Sequence, residues 1–189
     1  MIHIIGDSHA LTFQGAKDVE VHWMGAATAF NLWKKNKEIL NILKKFVARG
    51  EDGVWFCFGE IDCRIHTYNK SCELFLAEEF IIHNTVNSYC NYVQHIMDYE
   101  EDVVQVLTAP PQGFQENYFE YPNYASRERR QYYTDEFNSF LYDYLPPGTV
   151  VDIWKPEAAY LWPEEDFQED KCHIKPEIAI ARLEKYIGK

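Results

Sequence analysis

Ile2-His3-Ile4-Ile5-Gly6-Asp7-Ser8-His9 opens the chain, and its two halves differ in chemistry. Ile2–Ile5 is short and rich in β-branched residues, the composition of a strand. Gly6 then lets the backbone turn sharply, and Asp7, Ser8 and His9 place three polar side chains where the strand ends. The same succession recurs twice. Val19–Trp23 runs into Gly25 in Trp23-Met24-Gly25-Ala26-Ala27, and Val54–Phe58 runs into Gly59 in Phe58-Gly59-Glu60-Ile61-Asp62-Cys63-Arg64. Val103–Leu107 and Val150–Trp154 are two further runs of strand character.

These runs are nearly continuous in apolar residues, which suits strands covered on both faces. Between them the spacing turns helical. Over Thr28–Arg49, Leu32, Trp33, Ile39, Leu40, Leu43, Phe46 and Val47 recur at three- and four-residue steps, and Gly50 follows as a stop. Lys34, Lys35, Lys37, Lys44 and Lys45 fall mostly on the opposite side, the pattern of a solvated helix face rather than an anion site. Helices are also predicted over Glu78–Asp98, Ser126–Tyr144 and Lys175–Ile187. Alternating strands and helices imply a parallel sheet in a three-layer α/β/α sandwich. Ligands in such sheets sit beyond the carboxyl ends of the strands, so Gly6, Gly25 and Gly59 are expected to rim one pocket.

Composition narrows the function. The 189 residues suit one domain over 1–189, and 47% hydrophobic with 16% aromatic residues is enough to bury a core, which excludes disordered, collagen-like and coiled-coil classes. With 30 acidic and 18 basic residues the net charge is −12, which argues against nucleic acid as a partner. No apolar run approaches the ~20 residues of a membrane span, and Ile2–Ile5 is too short and lacks the basic flank of a signal peptide. Five cysteines with no CxxC pair read as reduced thiols in a cytoplasmic protein. Cys57 and Cys90 fall in a strand and a helix, ordinary places for buried thiols.

Ser8 is a candidate nucleophile, and a nucleophilic serine needs a base. Asp170-Lys171-Cys172-His173, just ahead of the final helix opened by Lys175-Pro176-Glu177, offers one. A carboxylate three residues before a histidine in a tight turn can hold Nδ1–H, leaving Nε2 to take the serine proton. Each piece alone is weak, since Asp and Ser are common helix caps. Their joint occurrence at the first strand end and before the last helix is much stronger.

Gly6-Asp7-Ser8-His9 resembles the first block of the SGNH/GDSL hydrolases, and Asp170-x-x-His173 resembles their last. Gly25 is similar to the second-block glycine, and Gly59-x-x-Asp62 to part of the third. The resemblance implies a flavodoxin-like fold with five parallel strands and serine-dependent ester hydrolysis without a cofactor. It further implies Ser8 as nucleophile, His173 as general base and acid, Asp170 as its orienter, and the N–H groups of Ser8 and Gly25 in the oxyanion hole. The family's third oxyanion donor is an asparagine, and Ile61 stands in that position. Gly59-Glu60-Ile61-Asp62-Cys63-Arg64 resembles a variant form of the block, with Arg64 as a candidate substitute donor and Asn31, inside the first helix, a weaker one. Asp7, His9, Glu60 and Asp62 are expected to line the substrate site. An equal alternative is that Arg64 only neutralises Glu60 or Asp62.

Two other readings compete. Asp7-x-His9 also resembles the opening metal-ligand motif of calcineurin-like phosphoesterases, but the later blocks of that family are absent, and His22, His66, His83 and His95 show no ligand spacing. A non-catalytic binding module on the same scaffold would suit Ile61 but not the retention of Ser8, Asp170 and His173 together. Cys172 is expected to pack, its side chain turned away from His173. Gly113–Tyr133, with Phe114, Tyr118, Phe119, Tyr121, Tyr124, Tyr132 and Tyr133 beside Arg127, Arg129 and Arg130, is either a substrate lid or a packing segment, the latter somewhat favoured, and leaves self-association open. With Trp23, Tyr160 and Trp162, and Ala158–Asp170 as a wall, these aromatics would suit an acetylated carbohydrate or another small acyl ester.

Overall fold

The computed structural model describes residues 1–47, 53–98, 104–115, 124–154 and 162–188. Strands β1 (Ile2–Gly6), β2 (Val19–Trp23), β3 (Gly53–Cys57), β4 (Val104–Leu107) and β5 (Val150–Val151) lie in the order β2-β1-β3-β4-β5. Every neighbouring pair is parallel. The chain steps outward from β1 to β2 and then back across β1 to β3, so the crevice of this doubly wound sheet opens where β1 and β3 end. The five-stranded parallel sandwich expected from the sequence is the fold observed.

Alternation along each strand divides the interior in two. Ile5, Val54, Phe56 and Val106 pack with Leu32, Ile39 and Leu43, with Ile82, Val86 and Val93 of α3 (Glu78–Met97), and with Phe137 and Leu141 of α4 (Arg127–Tyr144). Ile4, Trp55, Cys57, Leu107 and Val151 face the other way, onto Ala10, Phe13, and Ala179 and Leu183 of α5 (Pro176–Ile187). With both faces covered, every residue of β3 is buried. That double burial explains the unbroken apolar runs, each fully buried Val, Leu, Ile or Phe contributing about 1.5–3 kcal/mol.

Three segments differ from expectation. The helix predicted from Thr28 begins later, as a 3₁₀ turn over Leu32–Lys35 followed by α1 (Asn36–Val47), and its predicted end at Arg49 lies outside the described residues. Residues 28–31 stay non-helical because their donors are claimed elsewhere: Asp62 Oδ2 accepts the Ala29 N–H at 2.7 Å, and Thr28 Oγ1 accepts the Asn31 N–H at 3.3 Å. β5 stops at Val151 because Asp152 Oδ1 accepts the Thr108 hydroxyl and the Trp154 N–H, both at 3.1 Å, and turns the chain out of the ladder. A helix absent from the prediction follows Gly59: a π-type turn over Asp62–His66 runs into α2 (Thr67–Leu74). Among the described residues no helix is long and apolar enough to cross a membrane.

Candidate active site

Gly6, the last residue of β1, lies level with Trp23 of β2 and Cys57 of β3, so the turns after these strands are neighbours. Beyond Gly6 the chain coils into a 3₁₀ helix over Ser8–Phe13, capped by Asp7, whose Oδ1 accepts the His9 N–H at 2.9 Å. Ser8 stands first in that turn and is only half-buried. Gly25 follows β2 with φ +70°, a left-handed conformation that a side chain would strain, although open space surrounds the position of a Cβ.

His173 comes to Ser8 from the other end of the sequence. The Ser8 hydroxyl lies 2.9 Å from His173 Nε2, and His173 Nδ1 lies 2.5 Å from Asp170 Oδ2. The other Asp170 oxygen accepts the N–H groups of Cys172 at 2.9 Å and His173 at 3.0 Å, a wrap made feasible by Lys171 in the left-handed region at φ +56°. Burial works to raise the Asp170 pKa, but these hydrogen bonds outweigh it and hold the carboxyl below its ordinary value. Ionised Asp170 has only acceptors, so Nδ1 carries the ring hydrogen and Nε2 presents its lone pair to Ser8. The His173 pKa is lowered, first by burial and then by the charge of His9, with Asp170 opposing both.

His9 is the charged neighbour. Its ring lies on that of His173, with centroids 4.4 Å apart and planes inclined by 32°. Its Nδ1 is 3.5 Å from both Asp7 Oδ1 and Glu60 Oε2, and its Nε2 is 3.9 Å from Cys172 Sγ. Burial would lower its pKa, but Glu60, Asp7 and Cys172 together raise it well above the ordinary value, which favours the imidazolium form. Glu60 in turn is held anionic against the effect of burial by Arg64, whose Nε donates to Glu60 Oε1 at 2.7 Å, and by His9.

This geometry corrects several expectations. Asp7, His9, Glu60 and Asp62 are 1–3% exposed and engage one another or the backbone, so they underlie the site instead of facing substrate. Arg64 pairs with Glu60 rather than Asp62, and its Nη1 donates to Gln115 Oε1 at 3.4 Å. Asn31 lies ahead of the helix, not inside it, in a cleft shared with Met24, Ala26, Ala27 and Thr28. Cys172 is not turned away from His173: its Sγ and one nitrogen each of His9 and His173 lie within 4.8 Å of one another, close enough to hold a metal ion. Trp162 is buried against Trp154 with the Arg182 guanidinium over its ring, and so packs in the core, whereas Trp23 is 58% exposed. Tyr118, Phe119, Tyr121 and Tyr160 lie outside the described residues. Ile61 is buried and supplies no polar group.

Sequence reasoning missed the strut that holds the Asp170–His173 turn. The N–H groups of Phe114 and Gln115 donate to Lys171 O at 2.7 and 3.1 Å. Arg130 of α4 donates to Gln115 O at 2.6 Å and Gly113 O at 3.0 Å, and Arg127 donates to Gln112 O at 3.0 Å and stacks over Phe114 at 3.7 Å. Among the described aromatics of this segment, Phe114 and Tyr133 therefore pack, while Tyr124 and Tyr132 are exposed. The available signal was the pair Arg127 and Arg130, one turn apart on a helix whose first turn faces that loop.

No protein-family model matches the sequence, and no curated protein matches it in sequence. Solved structures do match in fold. An acetylxylan esterase from Geobacillus stearothermophilus, solved as a catalytic variant, superposes with TM-score 0.58 at 13% identity, over 100% of this chain and 94% of that one. The acetyl xylan esterase AlAXEase gives 0.56 at 11%, over 98% of each chain. A protein proposed to be an SGNH hydrolase, from Slackia heliotrinireducens, gives 0.56 at 14%, over 99% of this chain and 98% of that one. At such identities the likeness speaks for architecture, and there the resemblance drawn from Gly6-Asp7-Ser8-His9 and Asp170-x-x-His173 holds: this chain has the fold of the SGNH hydrolases.

Proposed function

We propose that the protein is a serine-dependent ester hydrolase in which Ser8 is the nucleophile, His173 the general base and acid, and Asp170 the group that orients His173. The observation that carries this reading is the chain of contacts from Ser8 Oγ through His173 to Asp170, at 2.9 and 2.5 Å. His173 removes the Ser8 proton as Oγ attacks the ester carbonyl, and a tetrahedral oxyanion forms. The N–H groups of Ser8 and Gly25 hold the oxyanion. Protonated His173 then gives its proton to the leaving alcohol, and water, deprotonated by the same ring, releases the acyl group from Ser8. No step needs a metal or an organic cofactor.

Ile61 leaves the oxyanion hole without the family's side-chain donor, a loss worth about 10²–10³ in rate in a well-studied protease. Arg64, engaged by Glu60 and Gln115, has no established path to that role, and the reading stands on the two backbone donors. Two of the structural relatives are acetylxylan esterases, so acetylated carbohydrates head the substrates to try.

A fluorophosphonate probe tests the nucleophile without the true substrate. One adduct on Ser8 by mass spectrometry is expected, absent in Ser8→Ala and in His173→Ala, with esterase turnover lost in both variants. Labelling elsewhere, or turnover that survives Ser8→Ala, would overturn the mechanism. No adduct on a folded protein would mark the scaffold as a binding module.

A further inference from the structure

Far from Ser8 along β1, three ligating side chains converge at the open edge of the sheet. The parallel register sets His3 opposite Glu20 and Ile5 opposite His22. Glu20 and His22, two residues apart on β2, project from the same face of the edge strand, beside His3. His3 Nδ1 lies 3.3 Å from His22 Nε2 and 3.6 Å from Glu20 Oε2, and His22 Nε2 lies 3.8 Å from Glu20 Oε1. One ligating atom from each residue thus falls within 4.8 Å of the others.

We propose that His3, Glu20 and His22 bind one divalent transition-metal ion of the zinc class. Zinc bonds of about 2.0–2.1 Å to imidazole nitrogen or carboxylate oxygen put tetrahedral ligands roughly 3.3–3.4 Å apart. The two imidazole nitrogens are 3.3 Å apart, close to that edge length, and each has one of the two Glu20 oxygens at 3.6 or 3.8 Å, so a small rotation of the exposed carboxylate completes the set. Two imidazoles and a carboxylate favour zinc and its neighbours over magnesium or calcium, which take oxygen ligands.

Access and placement fit an accessory site. His3 side-chain atoms are 1% exposed, those of His22 15% and those of Glu20 51%, so the ion enters from the solvent side and keeps a water in its fourth position. Bound metal would pin edge strand β2 to β1, and β2 leads directly into Gly25. The site shares no residue with the proposed triad, and its test does not depend on esterase activity.

The test is titration of chelator-stripped full-length protein with zinc chloride alone, by calorimetry and native mass spectrometry, with melting followed in parallel. One tightly bound equivalent and a higher melting temperature are expected. Glu20→Gln, an exposed position whose change leaves the core intact, should weaken binding at least tenfold and abolish the melting shift, as should His22→Ala. A Cys172→Ser variant should bind as the parent does. Absence of binding, or binding undiminished in both Glu20→Gln and His22→Ala, would overturn the proposal. Loss in Cys172→Ser would place the ion at His9, Cys172 and His173 instead.

Discussion

Asp62 ties the turn after β3 to the loop after β2, and it does so as a buried carboxyl. Its Oδ2 accepts the Ala29 N–H at 2.7 Å, it is 2% exposed, and burial pushes its pKa from 3.8 up to about 7 despite that bond. The folded state therefore holds a proton that the unfolded chain gives up near pH 4. Stability from this group is fully present below the unfolded value and is lost as pH rises through about 7. The full difference is about 4 kcal/mol, and integrating the two titrations assigns about 2.5 kcal/mol of it to the interval from pH 5 to pH 8. Asp62→Asn keeps an oxygen for Ala29 and cannot ionise. Its new NH₂ adds an offset that does not vary with pH, and the remaining titrating groups are common to both proteins and cancel in the comparison. The melting temperature of the variant relative to the parent should thus rise by roughly 5–10 °C between pH 5 and pH 8, at about 2–4 °C per kcal/mol for a chain of this size. Scanning calorimetry at four or five pH values measures it. A difference that stays flat over that range would show Asp62 ionised throughout and would refute the reasoning.

Two other perturbations probe the same region. Removing the His9 charge with His9→Gln should move the acid limb of the kcat/KM profile to higher pH, because burial and then His9 hold the His173 pKa down and only the second is lost; an unmoved limb would mean that His9 carries no charge. Gly59→Ala introduces a Cβ 2.5 Å from Phe137 Cζ at φ +113°, so strain and overpacking together should cost roughly 2–5 kcal/mol, seen as a fall in melting temperature of several degrees or more.

The architecture was legible because β1, β3 and β4 are buried on both faces, which leaves unbroken apolar runs that polar loops delimit. The triad candidates were legible because their chemistry is local: a serine after a glycine turn, and a carboxylate three residues before a histidine. What escaped depends on contacts between segments distant in the sequence. Residues 28–31 have helical spacing, but a carboxylate 33 residues away takes the Ala29 donor. Asp62–Leu74 carries no apolar stripe of usual period, and its π-type turn shifts the face that Cys63 and Ile65 bury. Arg127 and Arg130 stood beside the aromatics of a segment read as a lid or a packing element, and only the folded chain shows them gripping the carbonyls of residues 112–115. His22 shows no ligand spacing along the sequence because its partners, Glu20 beside it and His3 on the neighbouring strand, meet it only through the parallel register.

His9 and Ile61 bear on each other. Asp7, His9, Glu60 and Arg64 form a buried cluster whose formal charges cancel, and such clusters add little to stability over apolar packing of the same volume. Its position directly beneath His173 gives it a use that packing does not explain. His9 cannot serve as the missing oxyanion donor, since its Nδ1 faces Asp7 and Glu60 and its Nε2 faces Cys172. It can act on the base. Asp170 favours the imidazolium form of His173, while burial first and then the His9 ring stacked 4.4 Å away oppose it and lower the His173 pKa. Both His9 and Ile61 would then lower the rate once His173 is charged, one by repelling the imidazolium and the other by leaving the oxyanion short of a donor. On the proposed mechanism, a site so arranged would favour a base ready at neutral and mildly acidic pH over maximal stabilisation of the tetrahedral intermediate. Activated esters, whose electrophilic carbonyl forms the tetrahedral intermediate with less oxyanion stabilisation, should accordingly be its better substrates.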